Sequence, residues 1–328
     1  MTVISIDVGY GYTKAVSENG EKISFPSVTA PLGVNRLEGM YNGVIDYRVR
    51  IANEGRVNEA LIGRAALMSN SCRAFVGRQE KPEDMHDALL LTAAYLLSNG
   101  SNNPDIILAA GLPLSYYKNQ KNKLRERLSN LSACVMVNGG QEKYISFKGV
   151  SIFPQGTGVL AALDEIPEKG RIGVLDIGTY TTDYLLFEIQ DNMPIPIVEG
   201  CGSVETGIFL AQKAIAMEYE KVTGSTLPLS EYQSVFEDTI NGQPVVFWGK
   251  KIDLFPAWMK IQRQIAETIV SGAIAAWEKQ IDKLVLTVFA GGGSALLFDI
   301  VKDMFPCPYL MEEGYFANAV GFLKMCAG

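Results

Sequence analysis

Two short segments of the chain share a pattern of residues that could bind a polyphosphate. The first runs Asp7-Val8-Gly9-Tyr10-Gly11-Tyr12-Thr13-Lys14, and the second runs Asp176-Ile177-Gly178-Thr179-Tyr180-Thr181-Thr182-Asp183. In each segment an apolar run ends in an aspartate, a glycine follows two positions later, and a threonine lies six positions after the aspartate. This weak internal repeat opens both halves of the chain and predicts two equivalent β-hairpins.

The tip of such a hairpin can bind an anion, because small residues let backbone N–H groups approach a phosphate closely. Asp7 and Asp176 could hold Mg²⁺ directly or through water, since Mg²⁺ prefers few carboxylates together with phosphate oxygens. Lys14 could add a positive charge. Hydroxyl donors could come from three threonines, Thr13, Thr181 and Thr182. Two facing hairpins could therefore clamp a polyphosphate, whereas either segment alone could equally be a structural hairpin with a buried aspartate.

These segments are expected at strand ends of an α/β protein, because strand patterns alternate with helical patterns along the chain. Strand patterns occur at 3–7, 12–16, 23–28, 106–110, 171–176, 184–188 and 284–290, with more strands within 133–153. Helical patterns occur at 83–98, 156–165, 204–223 and 258–277.

The composition favours a globular protein and argues against several functions. Hydrophobic residues make up 48% of the chain and charged residues 20%, close to the average for soluble domains. A net charge of −7 argues against a broad nucleic-acid surface and against attachment to anionic lipid. The N-terminus lacks the features of a signal peptide, and no run approaches the roughly 18 apolar residues of a membrane helix. A cytoplasmic location is expected.

Cysteine and histidine usage excludes other chemistry. The five cysteines are widely spaced and form no C-x-x-C pair, which predicts neither a disulfide framework nor a zinc site. The single histidine, His86, nearly excludes a histidine-based metal site or a Ser-His-Asp triad. Because it stands at the start of a predicted helix, His86 is expected to be a solvated or capping residue.

Together the motifs resemble the superfamily that contains actin, the Hsp70 ATPase domain and the sugar kinases. The two segments above resemble its first and second phosphate motifs, and Val288-Phe289-Ala290-Gly291-Gly292-Gly293-Ser294-Ala295 resembles its adenosine motif. Phe153–Gly156 with the following helix, and Glu313–Lys324, resemble its two interdomain connectors. Within the superfamily the chain is most similar to prokaryotic actin-like proteins of the ParM/StbA type, including short archaeal actin relatives. The specific hints are the first phosphate segment, Gly111-Leu112-Pro113-Leu114, Phe153-Pro154-Gln155-Gly156 and Phe316-Ala317-Asn318-Ala319.

The resemblance implies an actin-like fold of two related α/β domains with a nucleotide in the cleft between them. Domain I would take residues 1–165 plus a C-terminal helix at 312–328. Domain II would take residues 166–311, with a subdomain insertion near 224–256.

The resemblance also implies residue roles. Gln155 lies at the connector position where relatives carry Gln or Glu, and it would position the attacking water, although a glutamine there could instead satisfy backbone donors at a helix N-terminus. The other two expected catalytic residues are Asp7 and Asp176, whose carboxylates would face the Mg²⁺ ion. The expected nucleotide contacts are Gly9, Tyr10, Gly11, Tyr12, Thr13, Lys14, Gly178, Thr179, Tyr180, Thr181, Thr182, Asp183, Glu205, Gly207, Gly291, Gly292, Gly293 and Ser294.

Two of these assignments keep an alternative. Asp183 could be a solvated turn residue at the end of the second loop. The triple glycine could serve only a sharp strand-to-helix turn, where a glycine permits a positive φ. The bulk of Tyr10 and Tyr12 in the first loop leaves open whether they line the cleft or point into the core.

The implied activity is slow, Mg²⁺-dependent hydrolysis of ATP, with GTP left open, by a protein that polymerises into filaments for DNA or plasmid segregation. The implied partners are further copies of the chain and a DNA-binding adaptor protein on a centromere-like site, without direct nucleic-acid or membrane contact. One alternative is a non-polymerising ATP-dependent switch or chaperone-like scaffold. A small-molecule kinase of the same fold is less favoured, because no separate motif supplies the carboxylate base that such an enzyme needs.

Overall fold

The computed structural model describes residues 2–33, 47–53, 55–75, 81–98, 100–191 and 193–327. The chain forms two compact units. Unit 1 contains the residues up to Asp164 together with those from Phe316 onward, and unit 2 runs from Glu165 to Tyr315. No helix among the residues described has both the length and the apolar character that crossing a bilayer requires.

Unit 1 is a mixed sheet with flanking helices. Its strands are β1 (Thr2–Val8), β2 (Tyr12–Ser17), β3 (Lys22–Pro26), β4 (Val28–Pro31), β5 (Tyr47–Asn53), β6 (Arg56–Ile62), β7 (Arg73–Ala74), β8 (Asp105–Leu112), β9 (Ser132–Val137) and β10 (Lys143–Pro154). Its first helices are α1 (Arg64–Leu67), α2 (Glu83–Leu97), α3 (Leu114–Ser129) and α4 (Thr157–Ala162).

Unit 2 carries a smaller sheet and longer helices, after which the chain returns to unit 1. Its strands are β11 (Gly170–Ile177), β12 (Thr182–Gln190), β13 (Met193–Pro196), β14 (Gly202–Val204), β15 (Val245–Phe247), β16 (Lys250–Ile252), β17 (Leu284–Ala290) and β18 (Pro308–Leu310). Its helices are α5 (Ile208–Thr223), α6 (Tyr232–Ile240), α7 (Phe255–Trp277) and α8 (Ser294–Val301). The returning helix is α9 (Ala317–Ala327).

The strands that the structure describes in unit 1 follow the order β3-β2-β1-β8-β10-β9-β5-β6-β4-β7. At its centre β1 and β10 both pair with β8 in parallel. Ile4, Ile6, Ile106 and Leu108 on these strands are fully buried, which explains their continuous apolar runs, because parallel strands are covered on both faces. Helices α2 and α9 both pack on β1.

The sheet of unit 2 has the strand order β13-β12-β11-β17-β18. This order repeats the segment β3-β2-β1-β8-β10 of unit 1, because β17 pairs in parallel with both β11 and β18. The predicted helix at 258–277 is confirmed within α7, which buries Trp258, Ile265, Ile269 and Trp277. The Trp277 indole N–H donates to the carbonyl of Gly200 at 2.8 Å. The segment 224–256 contains α6 and the β15–β16 hairpin, whose buried side chains join the same core as α5 and α7.

The helix predicted at 204–223 begins later, at Ile208. Residues 202–204 are extended instead, because they pair with β12 as β14. The backbone of Gly207 is also extended, with φ −146° and ψ −164°. The helix can therefore start only after this glycine.

Helix α4 and helix α9 pack through glycines. A Cβ atom at Gly321 would clash with the carbonyl of Gly158, and one at Gly158 would lie 2.8 Å from the Asn318 backbone. The rings of Phe153 and Phe322 stack beside this crossing, with centroids 5.6 Å apart. The missing side chains let the two helices touch along their backbones.

The expectation that His86 is solvated or caps a helix is wrong. The side chain is buried within unit 1, where its Nδ1 atom lies 3.2 Å from Arg127 Nη2 and 3.3 Å from Asp87 Oδ1. Arg127 also donates to the Asp87 carboxylate. Burial lowers the pKa of His86, and the nearby Arg127 and Lys81 charges lower it further, against the opposing effect of Asp87.

Acidification is therefore expected to destabilise unit 1 through His86. Below the ordinary histidine pKa of about 6.5, the unfolded chain takes up a proton that the folded chain does not, so the free energy of unfolding falls by up to about 1.4 kcal/mol per pH unit. Urea unfolding of the wild type and His86→Gln at pH 7.5, 6.5 and 5.5 checks this. The stability advantage of the wild type should shrink as the pH falls, and a constant difference would contradict the argument.

Candidate phosphate-binding loops

The first phosphate segment forms the predicted hairpin between β1 and β2. Asp7 pairs in register with Lys14, and Val8 with Thr13. The Gly9 N–H closes the loop by donating to the Tyr12 carbonyl at 3.0 Å. A Cβ atom at Gly9 would lie only 2.7 Å from that oxygen, so the tight turn requires glycine at this position.

Asp7 is the centre of a buried polar cluster in unit 1. One carboxylate oxygen accepts a hydrogen bond from Gln155 Nε2 at 2.7 Å, and the other lies 3.6 Å from the Lys14 ammonium. Asp7 is only 2% exposed. The amide and the ammonium offset the cost of burying this carboxylate, and they bring three of the predicted site residues together.

The backbone around Gln155 is fixed from two sides. The Gln155 N–H donates to the Leu112 carbonyl at 2.7 Å, and the Gly156 N–H donates to Asn318 Oδ1 at 2.9 Å. Gly156 has φ +83°, a conformation that favours glycine. Asn318 on α9 is thus a positioning residue that the sequence analysis missed. The only signal for it was its place in Phe316-Ala317-Asn318-Ala319.

Two side chains of the first loop point into unit 1. Tyr10 is buried, with its ring edge-on to Phe75 at 6.4 Å and the Lys81 ammonium 4.6 Å from its ring centroid. This places Tyr10 in the core, whereas Tyr12 is half-buried at the start of β2. The Thr13 hydroxyl is fully buried and shares a 2.9 Å hydrogen bond with Ser27. The Thr13 hydroxyl therefore has a partner inside the sheet, and its contact with a phosphate stays a prediction.

The second segment forms a matching hairpin between β11 and β12. Asp176 pairs in register with Asp183, and Ile177 with Thr182. The Gly178 N–H donates to the Thr181 carbonyl at 2.9 Å, and a Cβ atom at Gly178 would lie 2.9 Å from that oxygen. The turn geometry thus repeats that of the first loop, so the sequence repeat is also a structural one.

The two hairpins differ in charge at one position. Where the first places Lys14 opposite Asp7, the second places Asp183 opposite Asp176. Directly paired residues of antiparallel strands project from the same face, and like charges there are destabilising. Asp176 and Asp183 are also both buried, at 7% and 2% exposure. Carboxylate oxygens are ligands that Mg²⁺ accepts beside phosphate and water, so the donor set of unit 2 fits Mg²⁺.

The glycine motif after β17 packs directly on Asp176. A Cβ atom at Gly291, which has φ +85°, would lie 2.5 Å from Asp176 Oδ1 and 2.5 Å from the Ile177 carbonyl. The Gly293 N–H donates to the same carbonyl at 2.9 Å. Gly292 remains exposed. Ser294 is buried and its hydroxyl donates to the Ala290 carbonyl, and its contact with the nucleotide stays a prediction.

The start of α5 is tied to the second loop. Ile208 N–H and Phe209 N–H donate to the carbonyls of Gly178 and Thr179 at 3.1 and 2.7 Å. A Cβ atom at Gly207 would lie 2.6 Å from the Gly178 carbonyl, so a close backbone approach explains this glycine.

Other side chains around the second loop have different surroundings. The Thr182 hydroxyl is fully buried and donates to the Thr206 carbonyl at 2.7 Å, and its role in phosphate binding stays a prediction. Thr181 is also buried, whereas Glu205 is exposed beside the loop. The Tyr180 ring lies 6.4 Å from that of Phe209.

Each unit therefore contributes one glycine-containing turn with a buried aspartate at its base. Within the described part of the chain no three His, Cys, Asp or Glu side chains cluster to hold a metal ion. Such a site suits a cation that takes most of its ligands from phosphate and water. It does not suit a cation that needs all of its ligands from the protein.

Family comparisons match both units. Residues 5–158 match the family described as actin-like proteins, N-terminal domain, and residues 174–303 match that described as archaeal actin homologue MreB-like, C-terminal. A protein of Thermoplasma acidophilum described as an archaeal actin homolog is 27% identical over 333 residues, covering 98% of each chain.

Solved structures show the same fold over the full length. A 15-stranded ParM filament from Clostridium botulinum has a TM-score of 0.89 at 24% identity, covering 99% of this chain and 98% of that chain. An archaeal actin homolog in complex with ADP has a TM-score of 0.78 at 24% identity, covering 100% of this chain and 99% of that chain.

Proposed function

Because this chain belongs to the actin-like proteins, we propose that it binds and slowly hydrolyses a nucleoside triphosphate and polymerises into filaments while the triphosphate is bound. The observation that carries the proposal is the repeated hairpin, with a buried aspartate at the base of a glycine turn in each unit. The ADP complex of the archaeal actin homolog supports an adenine nucleotide.

The backbone N–H groups of both loops would contact the phosphates, and Lys14 would add a positive charge to the first. Asp7 and Asp176 would be the carboxylates on the Mg²⁺ side, directly or through water, and the metal would neutralise charge that develops on the phosphates. The exposed Gly292 and its neighbours Gly291 and Gly293 would let the ribose or base rest on bare backbone. Glu205 would lie close to the nucleoside.

Gln155 would orient the water that attacks the γ-phosphate. Its amide N–H₂ already donates to Asp7 at 2.7 Å, which leaves its carbonyl oxygen to accept a hydrogen bond from that water. An amide is a poor base, so positioning rather than proton abstraction sets the rate. Slow hydrolysis would let the nucleotide act as a timer between assembly and disassembly.

Self-association is proposed because the ParM relative from Clostridium botulinum is a filament. We further propose that these filaments segregate DNA such as a plasmid. A net charge of −7 favours indirect attachment to DNA, through an adaptor protein on a centromere-like site.

Light scattering with parallel phosphate release tests the proposal. The wild type and Asp176→Ala are compared with Mg-ATP, Mg-GTP, Mg-ADP and a non-hydrolysable ATP analogue. Scattering should rise with a triphosphate and decay as phosphate appears, and the analogue should prevent the decay. Asp176→Ala should show neither signal.

Two results would overturn parts of this proposal. Phosphate release without scattering at any protein concentration would retain the ATPase and remove the filament, which favours a nucleotide-dependent switch. An absence of both nucleotide binding and phosphate release would remove the enzymatic function as well.

A further inference from the structure

The hairpin of β15 and β16 turns through two residues, Trp248 and Gly249. Phe247 pairs with Lys250 across the turn, and the two turn residues have φ values of +50° and +75°. Positive φ at both positions defines a type I′ turn, which favours Asn-Gly or Asp-Gly because a bulky side chain is strained in this conformation.

Two other turns in the described part of the chain place a short polar residue at positive φ. Asn138, with φ +52°, precedes Gly139 in the connection between β9 and β10, and Asp191, with φ +51°, follows β12. Trp248 is a large aromatic residue at such a position. Neither turn geometry nor local propensity accounts for it.

The side chain of Trp248 is also 88% exposed. The hairpin itself is anchored, because Val245 is buried and the Phe247 ring packs edge-on to Tyr219 at 5.9 Å. Val246, next to Phe247, is 65% exposed. A fixed hairpin thus holds an apolar pair, Trp248 and Val246, out into solvent, although burial of tryptophan is strongly favoured.

We infer that Trp248 is an anchor residue of the contact between two copies of this chain. The inference rests on the proposed function, and two observations support a second copy as the occupant. Tryptophan is enriched among the few residues that carry most of the binding energy of an interface. Lys250 and Lys251 beside the turn are exposed, and a second copy with net charge −7 offers an excess of acidic groups to them.

Tryptophan fluorescence provides a test that needs no substitution. The chain has three tryptophans, of which Trp258 and Trp277 are 3% and 0% exposed. Acrylamide therefore quenches mainly Trp248 in the monomer. The measurement is repeated after assembly with a nucleoside triphosphate. The fraction of tryptophan fluorescence that acrylamide readily quenches should then disappear, and the emission should shift to the blue. Filaments that keep the same quenchable fraction would overturn the inference.

Trp248→Asn provides the second test, because it installs the residue that the turn prefers. The variant monomer should unfold at the same or a higher temperature than the wild type, while its critical concentration for assembly should rise at least about 10-fold. Val198→Asn is the matched control, since Val198 is 74% exposed in the same unit and lies outside the hairpin. It should leave the critical concentration unchanged.

The outcomes separate this inference from the proposed function. If the wild type fails to assemble with any nucleotide, the filament proposal and this inference both fail. If the wild type assembles and Trp248→Asn assembles at the same critical concentration, only the inference fails. Trp248 would then be assigned to a partner other than a second copy.

Discussion

Gln155→Ala is expected to slow phosphate release about 100-fold, because it removes the amide that would orient the attacking water. The change also removes the 2.7 Å hydrogen bond to Asp7, so the carboxylate loses one of its two partners. Affinity for the nucleotide should change by less than about threefold, since Gln155 would contact the water and not the phosphates. Single-turnover phosphate release and binding of a fluorescent nucleotide separate the two effects.

Gln155→Asn distinguishes the position of the amide from its presence. The shorter asparagine side chain keeps the amide but withdraws it by one methylene. Phosphate release by this variant should therefore be nearly as slow as that of the alanine variant. Thermal unfolding of both variants monitors the fold. Wild-type rates in either variant would exclude Gln155 from the chemistry.

Gly291→Ala is expected to weaken nucleotide binding at least about 10-fold and to destabilise unit 2. The new Cβ atom would lie 2.5 Å from both Asp176 Oδ1 and the Ile177 carbonyl, so the carboxylate and the strand end must both move. Overpacking of this kind typically costs about 1–3 kcal/mol. Nucleotide titration and urea unfolding measure the two consequences.

Gly242→Ala is the control that separates the steric clash at Gly291 from the backbone strain of alanine at positive φ. Gly242 has a similar φ of +68° but no heavy atom within 4 Å of its Cβ position, so alanine there should cost only the backbone strain of about 1–2 kcal/mol and leave binding intact. If both variants bind nucleotide with the same affinity, the packing of Gly291 on Asp176 has no role in binding.

The sequence predicted the fold class and the local form of both loops. The actin-like fold is confirmed by the family matches in both units and by the solved structures. The hairpins were predictable because an apolar run, an aspartate and a glycine turn are neighbours in the chain, and local turn chemistry decides their shape. The roles assigned to Gln155, Asp7 and Asp176 stay predictions.

Contacts between distant residues were not predictable from the pattern. The burial of His86 depends on Arg127 from another helix, and the positioning of Gly156 depends on Asn318, 162 positions along the chain. The hydroxyls of Thr13 and Thr182 have the right spacing for phosphate binding, but tertiary structure gives them Ser27 and the Thr206 carbonyl as partners. Spacing shows which groups are available, and only packing shows which are already engaged.

The return of α9 to unit 1 has a consequence for biosynthesis. Asn318, Gly321 and Phe322 hold the segment that carries Gln155, and they emerge from the ribosome after all of unit 2. At about 5–20 residues per second, the 162 positions between Gly156 and Asn318 take roughly 8–32 s to translate. A nascent chain can therefore complete unit 2 before unit 1. The proposed nucleotide hydrolysis would then begin only after α9 docks, so an incomplete chain would take no part in the proposed assembly.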